Sequence, residues 1–182
     1  MEEKKMGKNE NEFAWNEMKE IYDDFTRKSL GYWFLHNSEM KRFTRIRLGL
    51  SIPVIILTSA SGVTVLSTEN HDYNLLIGLL DFLLAIISAV LVYLNLGERI
   101  CDHKKIAVQF HKICDDIERM YKLPINKRTD AFEFYDQTKE KFDELCEFNH
   151  LITSFSQQTL KRYITKNKVL STNFFKFKIP IP

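Results

Sequence analysis

The residue whose chemistry stands out most is Asp81, a carboxylate inside a long apolar stretch. Residues 75–96 read LLIGLLDFLLAIISAVLVYLNL, and Asp81 carries the one formal charge among these 22 positions. A carboxylate at membrane depth costs about 2.5–3.5 kcal/mol on insertion scales, so such residues usually face a bundle interior or water. Asp81 is therefore the first candidate for a functional group. The structural alternative is an aspartate that reaches toward the membrane surface or hydrogen-bonds to a neighbouring helix.

Small and polar residues share one side of this stretch when it is drawn as a helix. They are Gly78, Asp81, Ala85, Ser88, Ala89, Val92 and Asn95. The preceding apolar stretch gathers a similar set, namely Ser51, Thr58, Ser61 and Gly62. Such residues allow close helix contacts in lipid, so the pattern predicts either simple helix packing or a water-lined pore. The candidates for a pore lining are Asp81, Ser88, Asn95, Gly78, Thr58 and Ser51.

Assembly of several copies would turn Asp81 into a ring of carboxylates near the outer mouth of a pore. Ser88 and Asn95 would lie further in, and a ring of this kind favours cations. If the first apolar stretch lines the axis instead, Thr58 and Ser51 replace these groups and little charge preference follows. Both arrangements require association, because a single pair of helices would leave one polar stripe in lipid.

Two apolar stretches position these residues, and they dominate the organisation of the chain. Residues 48–67 and 75–96 are each long enough as helices to cross a hydrocarbon core of about 30 Å. Together with the polar loop 68–74 they predict a transmembrane hairpin over residues 48–96. The alternative is a soluble bundle with two buried core helices, which the 27% of charged residues would suit. Core helices usually show a polar stripe, whereas these stretches are apolar nearly all round.

The basic residues that flank the two stretches predict an orientation. They are Lys41, Arg42, Arg45 and Arg47 before the first stretch, and Arg99, Lys104 and Lys105 after the second. The loop between the stretches has no lysine or arginine, so the positive-inside rule places both termini in the cytoplasm. We expect an integral membrane protein, with Tyr32, Trp33 and Tyr93 as anchors at the membrane interface.

The remaining segments predict cytoplasmic helices packed as a bundle. Residues 1–12 are expected to be disordered, and 13–47 to form an amphipathic helix. Residues 97–163 should form a helical hairpin, and 164–182 an extended tail. The second apolar helix should continue past residue 96, since no proline follows until Pro124. A heptad seam for bundle or oligomer contacts is predicted at Ile100, His103, Ala107, Phe110, Cys114, Ile117 and Tyr121. A last helix should begin behind a cap at Asp130 and run to about Tyr163.

Other chemistry finds little support in the sequence. The three cysteines form no paired metal motif, and their odd number argues against a disulfide framework. The histidines fall in no HExxH pattern, and no glycine-rich phosphate loop is present. A net charge of +2 with interspersed signs gives no support for nucleic-acid binding. We therefore expect no enzyme, no cofactor and no metal.

The order of the features resembles the SLATT family of two-transmembrane effector domains. An aromatic leading helix (FAWNEMKEIYDDF) and a basic run (KRFTRIR) precede two spans with a very short loop, and GERICDHKKIAVQFHKICDDIERMYKLP follows them. The resemblance covers about residues 12–163. It implies a membrane-permeabilising pore of conflict and defence systems. No nucleotide-sensing domain is recognisable, so a partner protein or the cytoplasmic helices would supply the trigger.

Two functional hypotheses follow from the sequence. The first is an all-α, homo-oligomeric membrane protein whose hairpins surround an ion-conducting pore. The second is a non-conducting membrane anchor or scaffold whose cytoplasmic helices bind a partner, and this includes an internal-membrane protein of a large DNA virus. The effect of Asp81 substitutions on conductance distinguishes them.

Overall fold

The computed structural model describes residues 11–65 and 71–167. Within these two ranges the chain is helical and has no strand, so the expected all-α class is confirmed. The helices are α1 (Lys19–Val65), α2 (His71–Leu94), α3 (Leu96–Lys122), α4 (Ala131–Cys146) and α5 (Ser154–Asn167). Residues 11–17 form a helical segment ahead of α1. Short 3-10 helices lie at Ile125–Lys127 and Glu147–Leu151.

These helices belong to two compact units. Unit 1 holds the described residues up to Glu39 and those from His103 onward. Unit 2 holds Met40–Asp102. Helices α1 and α3 therefore each contribute residues to both units, whereas α2 lies wholly in unit 2 and α4 and α5 wholly in unit 1.

The first segment of unit 1, residues 11–39, has a stripe of buried side chains at heptad spacing. The positions that are buried or half-buried at alternating steps of three and four are Trp15, Met18, Tyr22, Phe25, Ser29, Tyr32, His36 and Glu39. A 3.5-residue repeat keeps one seam of a helix facing its neighbours. Most of the stripe is aromatic or aliphatic, but its second half includes the fully buried polar residues Ser29, His36 and Glu39.

Aromatic rings connect the helices of this unit. Phe110 on α3 is fully buried, stacks on Tyr32 of α1 at a centroid distance of 5.0 Å and meets Phe142 of α4 at 5.8 Å. Such pairs add about 0.5–1.5 kcal/mol beyond the area they bury. The expected role of Tyr32 as an interfacial anchor is wrong, because this ring is a core residue. Trp33 is half-buried and packs edge-on against His111.

The turn between α3 and α4 is tied to the first segment by side-chain hydrogen bonds. Trp15 Nε1 donates to the carbonyl of Thr129 at 3.1 Å, and the Tyr22 hydroxyl donates to the carbonyl of Ala131 at 2.7 Å. Asp130 is the N-cap of α4, and its carboxylate accepts from the backbone N–H groups of Phe132 and Glu133. The predicted cap at Asp130 is confirmed.

The expected single helix from residue 131 to Tyr163 is wrong. Helix α4 ends at Cys146, and α5 starts at Ser154 after the 3-10 segment. At this break Glu39 Oε1 accepts from the backbone N–H of Thr153 at 2.9 Å and also from its hydroxyl. A side chain of α1 thereby satisfies a backbone donor at the start of α5, which a continuous helix would satisfy internally.

Other predicted boundaries also differ from the structure. Residues 11 and 12 are helical rather than disordered, and positions 164–167 belong to α5 rather than to an extended tail. Residues 71–74 of the predicted loop belong to α2. The remaining parts of the predicted disordered start, loop and tail lie outside the described residues.

Unit 2 contains the apolar parts of α1 and α2 and the first residues of α3. Helix α1 runs without interruption through position 48, and Pro53 lies inside it. Helix α2 ends at Leu94, and Asn95 adopts a positive φ of 44° before α3 begins. The expected uninterrupted helix from the second apolar stretch into the following segment is therefore wrong. Asparagine tolerates this left-handed conformation better than most residues.

Candidate functional site

The candidate site is the apolar surface of unit 2, whose large hydrophobic side chains are mostly exposed. On α1 they are Ile46, Leu48, Ile52, Ile55, Ile56 and Leu57. On α2 they are Leu76, Leu79, Leu80, Phe82, Leu83, Ile86, Val90, Val92 and Tyr93. Soluble proteins rarely expose so continuous an apolar surface, and larger patches mark contacts with membranes or other proteins.

The burial of the two most apolar segments separates them from ordinary core helices. No residue is buried in the most apolar 18-residue window of Lys19–Ala60, and 6% of the corresponding window of Leu76–Lys122 is buried. The alternative of two soluble core helices predicts extensive burial, and these segments show little of it among the described residues. Two helices are thus long and apolar enough to span a membrane by length and composition.

Leu84 shows which side of α2 faces the interior of unit 2, because it is only 3% exposed. At 3.6 residues per turn, Asp81 and Ser88 lie within about 60° of Leu84, on the border of this inner face. Asp81 is exposed and Ser88 is half-buried. The inner face is otherwise made of the half-buried Ile77, Ile87, Leu91 and Leu94.

The rest of the small-residue stripe points away from this inner face. Gly78 and Ala85 lie about 100–120° around the helix from Leu84, and both are exposed. A Cβ added at Gly78 would meet no atom within 4 Å. Gly78 and Ala85 therefore do not serve the contacts within one chain, and their side of α2 is open in the single copy.

The candidates on α1 have hydroxyl groups that bond to their own helix. Thr58 is exposed, and its Oγ1 donates to the carbonyl of Val54 at 2.6 Å. Ser59 donates in the same way to Ile55 at 2.7 Å. In hydrocarbon a hydroxyl must be satisfied within the protein, and the carbonyl one turn back is the nearest acceptor. Ser51 is half-buried, and positions 61 and 62 lie outside the side chains that the structure describes.

Asn95 has a structural role that its place in the stripe did not predict. Its backbone N–H donates to the carbonyl of Val92 at 3.1 Å, and its carbonyl accepts from the N–H of Glu98. Its side-chain amide also donates to the carboxylate of Glu98. The amide is therefore engaged at the junction between α2 and α3.

The predicted seam on α3 is largely covered by the same chain. Ala107, Phe110, Cys114 and Ile117 are buried in unit 1, and Tyr121 is half-buried. The thiol of Cys114 lies 3.6 Å from the carbonyl oxygen of Thr26. Ile100 belongs to unit 2 and is half-buried. Contacts between copies would therefore need surfaces other than the buried part of the seam.

A buried histidine pair is the polar feature that sequence reasoning missed. The Nδ1 atoms of His36 and His103 lie 2.9 Å apart, and both residues are buried in unit 1. Burial, followed by the proximity of His103, lowers the pKa of His36 from 6.5 to about 3. The signal was available in part, since both residues occupy apolar seams. The register that brings the two rings together was not.

The remaining reactive groups are the cysteine thiols and the candidate metal ligands. Burial raises the pKa of the Cys114 thiol to about 11, so this sulfur stays protonated and unreactive. Cys101 is exposed. Among the described residues, no three histidine, cysteine or acidic side chains are arranged to hold a metal ion.

Comparisons with protein-family models, curated proteins and solved structures return no match. The fold and the exposed surface therefore define the class by themselves: an all-helical chain with two apolar helices suited in length and composition to a bilayer.

Proposed function

We propose that residues 48–67 and 75–96 cross a bilayer as a hairpin and that unit 1 lies in the cytoplasm. The observation that carries this proposal is the exposure of the large apolar side chains of unit 2. At about 25 cal/mol for each Å² of apolar surface removed from water, lipid contact supplies a strong driving force for insertion. The basic flanks at positions 41–47 and 99–105 support cytoplasmic termini.

We further propose that several copies assemble into a cation-favouring pore. Asp81, Gly78 and Ala85 are exposed in the single chain, and in lipid an exposed carboxylate costs about 2.5–3.5 kcal/mol. Contact with sister copies, or with water along a shared axis, removes this cost. Gly78 and Ala85 leave room for the close approach of another helix. The resemblance to SLATT effectors is in keeping with a permeabilising pore.

Planar-bilayer recording of the full chain tests this function. The wild type should conduct with a preference for cations, and Asp81→Asn should shift the reversal potential in a salt gradient toward zero. Asp143→Asn on α4 is the matched control, because it removes the same charge from an exposed position of unit 1. An oriented, oligomeric preparation without conductance would overturn the pore, and unchanged selectivity in Asp81→Asn would overturn the role of Asp81 in its cation preference.

A second candidate is a membrane anchor or scaffold that conducts no ions. It is favoured by unit 1, which has a core of its own and a groove between α3 and α4 at its surface. Lys112, Asp116, Lys141 and Glu144 supply the charged groups of this groove. In that case Asp81→Ala would alter assembly or nothing, and substitutions in the groove would abolish partner binding.

A further inference from the structure

Unit 2 carries exposed arginines at the ends of its apolar segments. They are Arg45 and Arg47 on α1 and Arg99 on α3. Across residues 11–65 and 71–167 none of these three forms an ion pair, whereas Lys28 and Lys122 of unit 1 each pair with a carboxylate one helical turn away. These guanidinium groups are thus available to a partner outside the chain.

The three arginines lie at a similar height along the helices of unit 2, as the surroundings of Arg47 show. A Cβ added at Gly97 would be 3.6 Å from a terminal nitrogen of the Arg47 guanidinium, so the start of the apolar segment of α1 lies beside the start of α3. Two residues of helix rise about 3 Å, which places Arg45 and Arg99 within one turn of this level. The missing side chain at Gly97 leaves space for the guanidinium.

The surroundings of this level resemble a membrane interface in composition. Tyr93 is 87% exposed near the end of α2, and Ile46 and Leu48 are exposed beside the arginines. Tyrosine and arginine combine an apolar body with a polar tip, which suits the depth of lipid headgroups. The nearest acid in sequence, Glu98, accepts a hydrogen bond from Asn95. Positive charge therefore prevails next to the apolar surface.

We propose that Arg45, Arg47 and Arg99 form a belt-like surface at one level of unit 2 that binds the phosphate groups of anionic phospholipids. Positions 45 and 47 lie about 160° apart around α1, so each arginine meets a lipid of its own. Guanidinium groups donate two parallel hydrogen bonds to phosphate oxygens, which makes arginine better suited than lysine to this contact. The surface holds the lipid whose acyl chains cover the exposed side chains above it. This inference rests on the membrane insertion proposed above.

The test uses the full chain in detergent, titrated with phosphatidylglycerol or phosphatidylcholine, with bound lipid counted by native mass spectrometry. Each arginine should contribute about fivefold in affinity for phosphatidylglycerol, equivalent to about 1 kcal/mol. The variant Arg45→Gln, Arg47→Gln, Arg99→Gln should therefore bind phosphatidylglycerol about fivefold more weakly at each of the three positions. Raised salt should weaken the wild type in the same direction, because exposed charges are screened.

A matched control is Lys19→Gln, Lys139→Gln, Lys161→Gln, which removes the same charge from exposed positions of unit 1. This control should keep the wild-type affinity. Equal affinity of the arginine variant, equal loss in the lysine control, or equally strong binding of phosphatidylcholine would each overturn the proposal. Displacement of the lipid by inorganic phosphate would overturn it as well, since that result defines a general anion site.

Insertion itself is measured separately by flotation of the wild type with uncharged phosphatidylcholine vesicles. A chain that floats, combined with an arginine variant that keeps its lipid, refutes the lipid surface alone. A chain that does not float refutes the membrane function together with this inference.

Discussion

We expect unit 1 to lose stability as the pH falls below the ordinary pKa of histidine, because His36 is buried in its neutral form. The ring is fully buried, lies against Phe110 and places Nδ1 2.9 Å from Nδ1 of His103. Its Nε2 atom has no hydrogen-bond partner within the described part of the chain. A second positive charge on this pair would put two N–H groups against each other. Glu39, one turn along α1, accepts from Thr153.

The direction and size of the effect follow from the two pKa values of His36. The pKa is about 3 in the folded chain against an ordinary 6.5, so the unfolded chain takes up a proton that the folded chain refuses. The stabilisation is complete at a pH above 6.5, the pKa in the unfolded chain. It is lost as the pH falls toward about 3, the pKa in the folded chain. A difference of one bound proton gives about 1.4 kcal/mol per pH unit, so stability should fall by about 2 kcal/mol between about pH 7.5 and about pH 5.

Urea unfolding of the full chain in detergent, followed by tryptophan fluorescence, measures this loss. Both tryptophans, Trp15 and Trp33, belong to unit 1, so the signal reports the unit that contains the histidines. His36→Asn keeps a polar group near the Nδ1 position and removes the titration, so it should flatten the dependence on pH. His150→Asn, at an exposed position, should keep the wild-type slope. An equal slope in wild type and His36→Asn would refute the reasoning.

Two further outcomes are expected from substitution and labelling. Phe110→Ala should lower the free energy of unfolding of unit 1 by about 3–5 kcal/mol, because it leaves a cavity between Tyr32 and Phe142. Phe132→Ala, at an exposed position, should lower it far less. Equal urea midpoints of the two variants would contradict this packing. Maleimide should modify the exposed Cys101 in the folded chain, whereas it should modify the buried Cys114 only after unfolding. Mass spectrometry follows both reactions. Rapid modification of Cys114 in the native chain would contradict its burial.

Much of the helical architecture could be predicted from the spacing of apolar residues. The stripe around Phe110 and the cap at Asp130 depend on neighbours in sequence, so local rules suffice for them. The break before α5 could not be predicted, because it depends on Glu39 of α1 meeting Thr153, which lies 114 positions away in the chain. The positive φ of Asn95 likewise has no strong local signal such as glycine or proline.

The candidate site was predictable in composition and less so in geometry. Apolar length and flanking charge single out both membrane candidates. The sequence also shows that small residues share one side of α2, but it does not show that Leu84 marks the inner face of unit 2 and that Gly78 points elsewhere. Tyr32 illustrates the same limit, since an aromatic residue ahead of a predicted span can equally belong to a core. The contact that decides, stacking on Phe110, is between distant parts of the chain.

The histidine pair has a consequence for how α1 and α3 align in unit 1. Two helices that pack through apolar side chains alone can shift in register at little cost in packing free energy, because one apolar side chain replaces another. The imidazoles of His36 and His103 do not allow such a shift. If one helix moved by a turn, each ring would lie against apolar side chains without the hydrogen bond between their Nδ1 atoms. The buried polar pair in this apolar interface therefore favours one register of α1 against α3 in unit 1 and disfavours registers that are shifted by a turn.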